Sequence, residues 1–279
     1  MYRRCPFERT CLSLSLLFLL SSAIAGWATG LRVCIPAPAP APPCSVDFSG
    51  LPAQAIMAPF TDGSTGEAAP VQTRAAALRD AQRLYIMVQC DEPSMATTVA
   101  KCTETDGNVF PDDCIEVFIS PSGSSERYYH LVANSLGTRY DELGHNKAWD
   151  ADWTVSATRD EGSWSLLFTI PFAALNEVPG EGTIWWLNID RQRQASGKLE
   201  LSSWSPTAQD FHNIQSCGRL VLDRDFGACL QRGILQPFSE RAAALKQRVA
   251  VDAGLAADTE GRLAQLSESL APVVEAAQA

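Results

Sequence analysis

The sequence has no basic stripe, no CxxC pair and, beyond its first 25 residues, no apolar run long enough to cross a bilayer. Lys and Arg number 22 against 32 Asp and Glu, a formal net charge of -10. Removing residues 1–25 takes away three Arg and one Glu, which moves the charge from -10 to -12. A surface of that sign repels a phosphate backbone, so nucleic acid is not expected as a partner. Without a CxxC pair or a Cys/His cluster, the sequence presents no zinc motif. The 3 histidines, His130, His145 and His212, are scattered and sit beside no nucleophile motif, so each reads as a surface or hydrogen-bonded structural residue. Asp112, Asp113 and Glu116 are carboxylates of the type a glycosidase uses, but they share one short segment and have no opposed partner. The chain is therefore expected to be a binding module and not an enzyme.

The first residues carry Arg3, Arg4 and Arg9, the run LSLSLLFLL and the tripeptide Ala23-Ile24-Ala25. This is the charge, apolar core and cleavage pattern of a secretory signal peptide, with an uncleaved anchor as the alternative. It predicts a secreted, periplasmic or cell-surface protein. Of 9 cysteines, Cys5 and Cys11 fall within that segment. Export makes disulfides plausible, and Cys34/Cys44, Cys90/Cys102 and Cys217/Cys229 are close in sequence, although spacing does not fix connectivity. Cys114 lies inside an apolar segment and reads as a small buried residue. Residues 26–44 form a Pro/Ala-rich linker, in which Ile35 to Pro43 (IPAPAPAPP) reads as an extended polyproline-type spacer.

Residues 45–223 read as one folded unit of short strands. Leu84–Cys90, Cys114–Ser120, Arg127–Asn134, Thr138–Asp141, Trp153–Thr158, Ser163–Ile170, Ile184–Asp190, Leu199–Trp204 and Arg219–Leu222 are the strand segments, and Pro171–Leu175 is a short helical turn. Ser135-Leu136-Gly137 is a hairpin loop with Gly where a positive φ is expected. Many antiparallel strands separated by turns predict an all-β sandwich of the jelly-roll or immunoglobulin-like kind. Residues 224–279 are rich in Ala, Leu, Glu, Gln and Arg and predict a helical C-terminal extension, which packs on the sandwich or mediates self-association.

Strand alternation places Ile115, Val117 and Ile119 on one face of FPDDCIEVFIS (110–120) and Cys114, Glu116 and Phe118 on the other. Glu116 thus points away from the aliphatic face, either into solvent or toward a ligand. Asn188, interrupting WWLNIDR, must be hydrogen-bonded structurally or turned to a ligand, and Arg191 follows it. Trp164 and Trp186 lie within strands and read as core. Phe110, Trp204 and Phe211 sit at strand ends or in polar loops, where rings either cap a core or stack on the C–H faces of sugars.

The ordered run of motifs resembles carbohydrate-binding module family 9, among the DOMON-like sandwiches. The matching pieces are Leu84-Tyr85-Ile86, Phe110 to Phe118, Tyr128-Tyr129 with Asn134 and Gly137, Trp164 to Phe172, Gly182 to Arg191, Trp204-Ser205-Pro206, Phe211-His212 and Cys217 to Leu220. The resemblance spans roughly residues 47–222. It implies a β-sandwich that binds an oligo- or polysaccharide at chain ends, in support of polysaccharide breakdown. It also implies that two rings sandwich the sugar while a Glu, amides and an Arg read its hydroxyls. Carried over, these are Phe110 (Trp in sugar-binding members), Glu116, Asn188, Arg191 and Phe211, with Trp204 in reserve. No cofactor is required, and the resemblance allows a structural calcium, for which Asp47, Asp80 and Asp91 are conceivable ligands. The rival readings are a haem-binding electron-transfer domain using Met87 or His130, and a structural cell-surface module.

Overall fold

A computed structural model of the protein describes residues 32–180 and 183–222, together with positions 260, 261 and 264. The expected signal peptide, Cys229 and, apart from those three positions, the expected helical extension lie outside the described residues.

The strands are β1 (Val33–Cys34), β2 (Ala37–Pro38), β3 (Ile56–Met57), β4 (Thr61–Asp62), β5 (Thr73–Arg79), β6 (Arg83–Asp91) and β7 (Cys114–Ser120). They continue as β8 (Tyr129–Asn134), β9 (Arg139–Leu143), β10 (Thr154–Arg159), β11 (Ser163–Pro171), β12 (Ile184–Arg193), β13 (Glu200–Ser203) and β14 (Gly218–Val221). One sheet runs β1-β14-β12-β7-β8-β9, with β13 pairing β12 and β4. The other runs β10-β11-β6-β5-β2, with β3 on β5. All pairings are antiparallel except β1 with β14 and β2 with β5. The predicted turn after β11 is a 3-10 helix, Phe172–Leu175, and Gly137 has φ +84 in the β8–β9 hairpin.

Alternation builds the core. Ile115, Val117 and Ile119 of β7, Leu131 and Ala133 of β8 and Leu187 and Ile189 of β12 form one wall. Leu84, Ile86 and Val88 of β6 and Trp164, Leu166, Phe168 and Ile170 of β11 form the other. Each such Val, Leu, Ile or Phe side chain contributes about 1.5–3 kcal/mol by leaving water.

Three features depart from the sequence reading. The Pro/Ala-rich segment is no free spacer: Val33 and Cys34 pair with Arg219 and Leu220, and Ala37 and Pro38 pair with Leu78 and Arg79. Prolines fit there because these short strands lie on sheet edges, where missing N–H donors are tolerated. Thr73–Arg79 (TRAAALR), absent from the expected strand segments, forms a strand between β6 and β3, with its small side chains packed on both faces. The expected disulfides do not form among the described cysteines: Cys34, Cys44, Cys90, Cys102, Cys114 and Cys217 are free thiols. Cys34 and Cys90 point into the core, where burial pushes both thiols up to about 12.

Trp204 closes one end of this core at 2 % exposure, against Gly218. A Cβ on Gly218 would lie 2.6 Å from the Trp204 ring and 2.8 Å from the backbone oxygen of Arg32. Gly218→Ala is expected to destabilise the fold by about 1–3 kcal/mol in denaturant titrations. Gly162→Ala, whose Cβ would meet nothing within 4 Å, should change stability by less than about 0.5 kcal/mol.

Candidate functional site

The outer face of the first sheet is where alternate side chains of four strands converge. Asn188, Asp190 and Gln192 come from β12, Cys114, Glu116 and Phe118 from β7, His130 and Val132 from β8, and Tyr140 and Glu142 from β9. In register, Glu116 lies opposite Asp190 and Val132, Phe118 opposite Asn188 and His130, and His130 opposite Glu142. Glu116 is not solvated there: it is 2 % exposed. Apolar clusters cover the face on both sides of it. Phe110 and Val109 pack with Cys114, Val132 and Tyr140, and Phe211, Ile214 and Cys217 pack with Phe118 and Tyr128.

Between these clusters lies a polar network. Glu116 Oε2 is 2.7 Å from His130 Nε2, and Glu116 Oε1 accepts from Gln192 Nε2 at 2.6 Å. His130 Nδ1 is 3.0 Å from Glu142 Oε1, and the Tyr140 hydroxyl donates to Glu142 Oε2 at 2.9 Å. Phe118 stacks on the His130 ring at 4.2 Å. Burial penalises the imidazolium, yet the hydrogen bonds to Glu116 and Glu142 and their charges outweigh it and raise the His130 pKa. Glu142 follows the same logic in reverse: burial opposes ionisation, while His130 and the Tyr140 hydroxyl hold its carboxyl below the usual range. The exposed His212 is held below its ordinary pKa by partial burial and by the charge of His130.

Neighbouring carboxylates and amides fix the two loops that carry the aromatic rings. Asp112 accepts from the backbone N–H groups of Lys101 and Cys102 and from Asn134 Nδ2, all at 2.9 Å. Asp113 accepts from Val99 N at 2.6 Å and Gln194 N at 2.9 Å, bracing the turn that presents Phe110. Asn188 accepts from Ser205 N at 2.8 Å and donates to Ser205 O at 3.0 Å, tethering the loop that bears Phe211 and His212.

Phe110, Glu116, Asn188 and Phe211 therefore share one face, and two other candidates do not. Arg191 lies on the opposite side of β12, 1 % exposed, and binds Asp91 O, Glu92 and Thr73 of the second sheet. Trp204 is a core residue. Parity along the strand explains the first correction, since Arg191 alternates away from Asp190 and Gln192. Asn188 is fully enclosed, and its amide is spent on Asp190 and Ser205. Sequence reasoning missed His130, Gln192, Tyr140, Glu142 and His212. The signal for His130 was its alternation with Tyr128 and Val132 in a strand pairing with Glu116's strand. Nothing local marked the approach of His212.

Two further sites offer less. A cavity of about 120 Å³, lined by Asp62, Arg191, Arg193, Lys198 and Glu200 among others, contains no aromatic ring. Met87 and His130, the haem-ligand candidates, occupy outer faces of opposite sheets and cannot serve one iron. Asp80, one of the conceivable calcium ligands, accepts from Gln82 N, Arg83 N and the Tyr85 hydroxyl.

Asp190 is fully buried beside Glu116. Burial drives its pKa well above the usual carboxylate range; the Ser203 hydroxyl opposes this and the Glu116 charge adds to it. A carboxyl with a raised folded pKa contributes fully to stability below its unfolded value, about 3.9, and that stability is lost as pH rises toward the folded value. Asp190→Asn removes the titration while keeping the shape. Its stability relative to the unchanged protein should rise as pH is raised above about 4 in denaturant titrations. A pH-independent difference would show that Asp190 does not titrate in the fold.

The family described as carbohydrate family 9 binding domain-like matches residues 50–225. Among solved structures, a candidate carbohydrate-binding protein from Bacteroides uniformis superposes with a TM-score of 0.56 at 16% identity, covering 70% of this chain and 100% of its own. A family 9 carbohydrate-binding module from Caldicellulosiruptor kristjanssonii, in complex with cellotriose, gives a TM-score of 0.52 at 12% identity, with 69% and 94% covered. The same organism's module in complex with glucose gives 0.51 at 12% identity, with 69% and 96% covered. No curated protein matches the sequence. With the family match spanning more than half of its length, the chain belongs to the carbohydrate family 9 binding domain-like family.

Proposed function

We propose that the protein is an exported, non-catalytic carbohydrate-binding module that uses the outer face of the β12-β7-β8-β9 sheet, and that it engages glycan chain ends in support of polysaccharide breakdown. The observation that carries this reading is the half-buried Phe110 ring set beside the Glu116, His130 and Gln192 network. A part-exposed ring, next to carboxylate and amide groups fixed by their own hydrogen bonds, matches the stacking and hydroxyl-reading needs of a sugar. Family membership and the sugar-bound structures of similar fold support it. Both oxygens of Glu116 are engaged by neighbouring side chains, so Glu116 acts as a fixed acceptor and as a support for Gln192, not as an acid that delivers protons.

Phe110 replaces a larger ring, so affinity is expected to be modest and to depend on it. In affinity gels with soluble glucans, Phe110→Ala should weaken binding about tenfold, or ~1.4 kcal/mol, and Phe110→Trp should strengthen it. Glu116→Gln should also weaken retention, whereas Lys147→Ala, at an exposed loop position, should leave it unchanged. Equal retention of Phe110→Ala and Glu116→Gln with the unchanged protein would move the site elsewhere. Failure of the folded protein to bind any glycan on an array would favour a structural surface module.

A further inference from the structure

We propose that His130, Glu142 and His212 form a binding site for one divalent transition-metal ion, with Zn²⁺ as the best-fitting case. One ligand atom from each of the three residues lies within 4.8 Å of the other two, and no other such group occurs among the described residues. Three separate elements supply them: β8, β9 and the loop between β13 and β14. Two imidazoles and a carboxylate are a donor set that suits Zn²⁺ and its first-row neighbours and is poor for calcium, which prefers oxygen throughout.

The surroundings are those of a supported centre. His130 Nε2 is held by Glu116 at 2.7 Å, which turns Nδ1 toward Glu142. A carboxylate on the far nitrogen is the arrangement that orients and strengthens a metal-binding histidine. Glu142 is held in turn through Oε2 by Tyr140, leaving Oε1 for the ion. His212 Nδ1 is 2.8 Å from the Tyr128 hydroxyl, leaving Nε2 as its ligand atom. Phe118 stacks on His130 and meets His212 edge-on at 5.2 Å, limiting rotation of both rings. Nδ1 of His130 and Oε1 of Glu142 stand 3.0 Å apart, close to the spacing of roughly 3.3 Å for two ligands at about 2.0 Å on one tetrahedral ion. The ion would take the place of the proton now shared between them. On the exposed side, the His145 ring centroid is 5.6 Å from that of His212, and this side is open to a water or to a fourth imidazole.

The two buried ligands would satisfy each other without any metal. His212 is the informative residue: it is exposed, lies on another loop, and hydrogen-bonds to neither His130 nor Glu142. Its placement against the pair is what an ion would exploit. The site does not depend on sugar binding and is tested without glycan.

The full chain, stripped with a chelator and dialysed, is titrated with ZnCl₂ by calorimetry and with CoCl₂ by visible absorption. The expected result is one ion per chain and the intense absorption of low-coordinate Co²⁺. His212→Ala, at an exposed position that should spare the fold, should lose about 100-fold in Zn²⁺ affinity, and Tyr128→Phe about tenfold. Melting curves confirm that the variants are folded. The proposal is overturned if the unchanged chain binds no Zn²⁺. It is equally overturned if His212→Ala binds as tightly, which would place the ion elsewhere, for instance on the exposed Cys44 thiol.

Discussion

The outer face of the first sheet depends on the contact between Glu116 and His130. A carboxylate at 2 % exposure is costly to bury unless a hydrogen-bonded partner answers it. His130, itself fully buried, supplies that partner on one side and uses its other nitrogen for Glu142. Because the three groups satisfy one another, loops can close over them with apolar side chains and leave none of the three stranded. Without that pairing, Phe110 and Phe211 would be packed over an uncompensated charge. Covering this face therefore follows from its electrostatics as much as from its hydrophobicity.

A second buried ionic cluster does comparable work between the sheets. Glu92, at 0 % exposure, receives Arg193 at 2.7 Å and Arg191 at 3.1 Å, and Arg193 also binds Glu200. Burial opposes ionisation of Glu92, but Arg193, the Ser94 N–H and the two guanidinium charges hold its carboxyl below the ordinary range. The planar guanidinium of Arg191 also lies over the Trp164 ring at 5.7 Å. β12 thus serves two ends: its even positions build the outer face, and its odd positions fasten that face's sheet to the other. The outer face is rigid partly because its backbone is anchored from behind.

Strands carried most of what was legible in the sequence. Alternation in CIEVFIS assigned Glu116 to the non-aliphatic face, and every segment read as a strand is one, within three residues at its ends. Tertiary pairing was not legible in TRAAALR, which was not among the expected strands, or in the proline-rich segment, which docks on both sheets. The wider site was less legible because it is assembled across strands. His130 and Glu142 are 12 residues apart but directly opposite in register, and Tyr128 and His212 are 84 apart. Arg191 looked like a ligand residue because sequence shows a charge after a polar amide and does not show which buried acid on the other sheet will receive it.

The chemistry of the face also constrains how any ligand can use it. Glu116 accepts from Gln192 through Oε1 and pairs with His130 through Oε2, and of these two partners only Gln192 is part-exposed. Displacing His130 would strand a buried ring that two carboxylates and Phe118 hold in place. In the proposed sugar site, a ligand hydroxyl would reach Glu116 from the Gln192 side. An ion at His130, Glu142 and His212 would occupy the other side of the same ring. The two proposed uses of the face would share His130 as a wall without competing for its atoms, because Glu116 holds Nε2 and the ion would need only Nδ1.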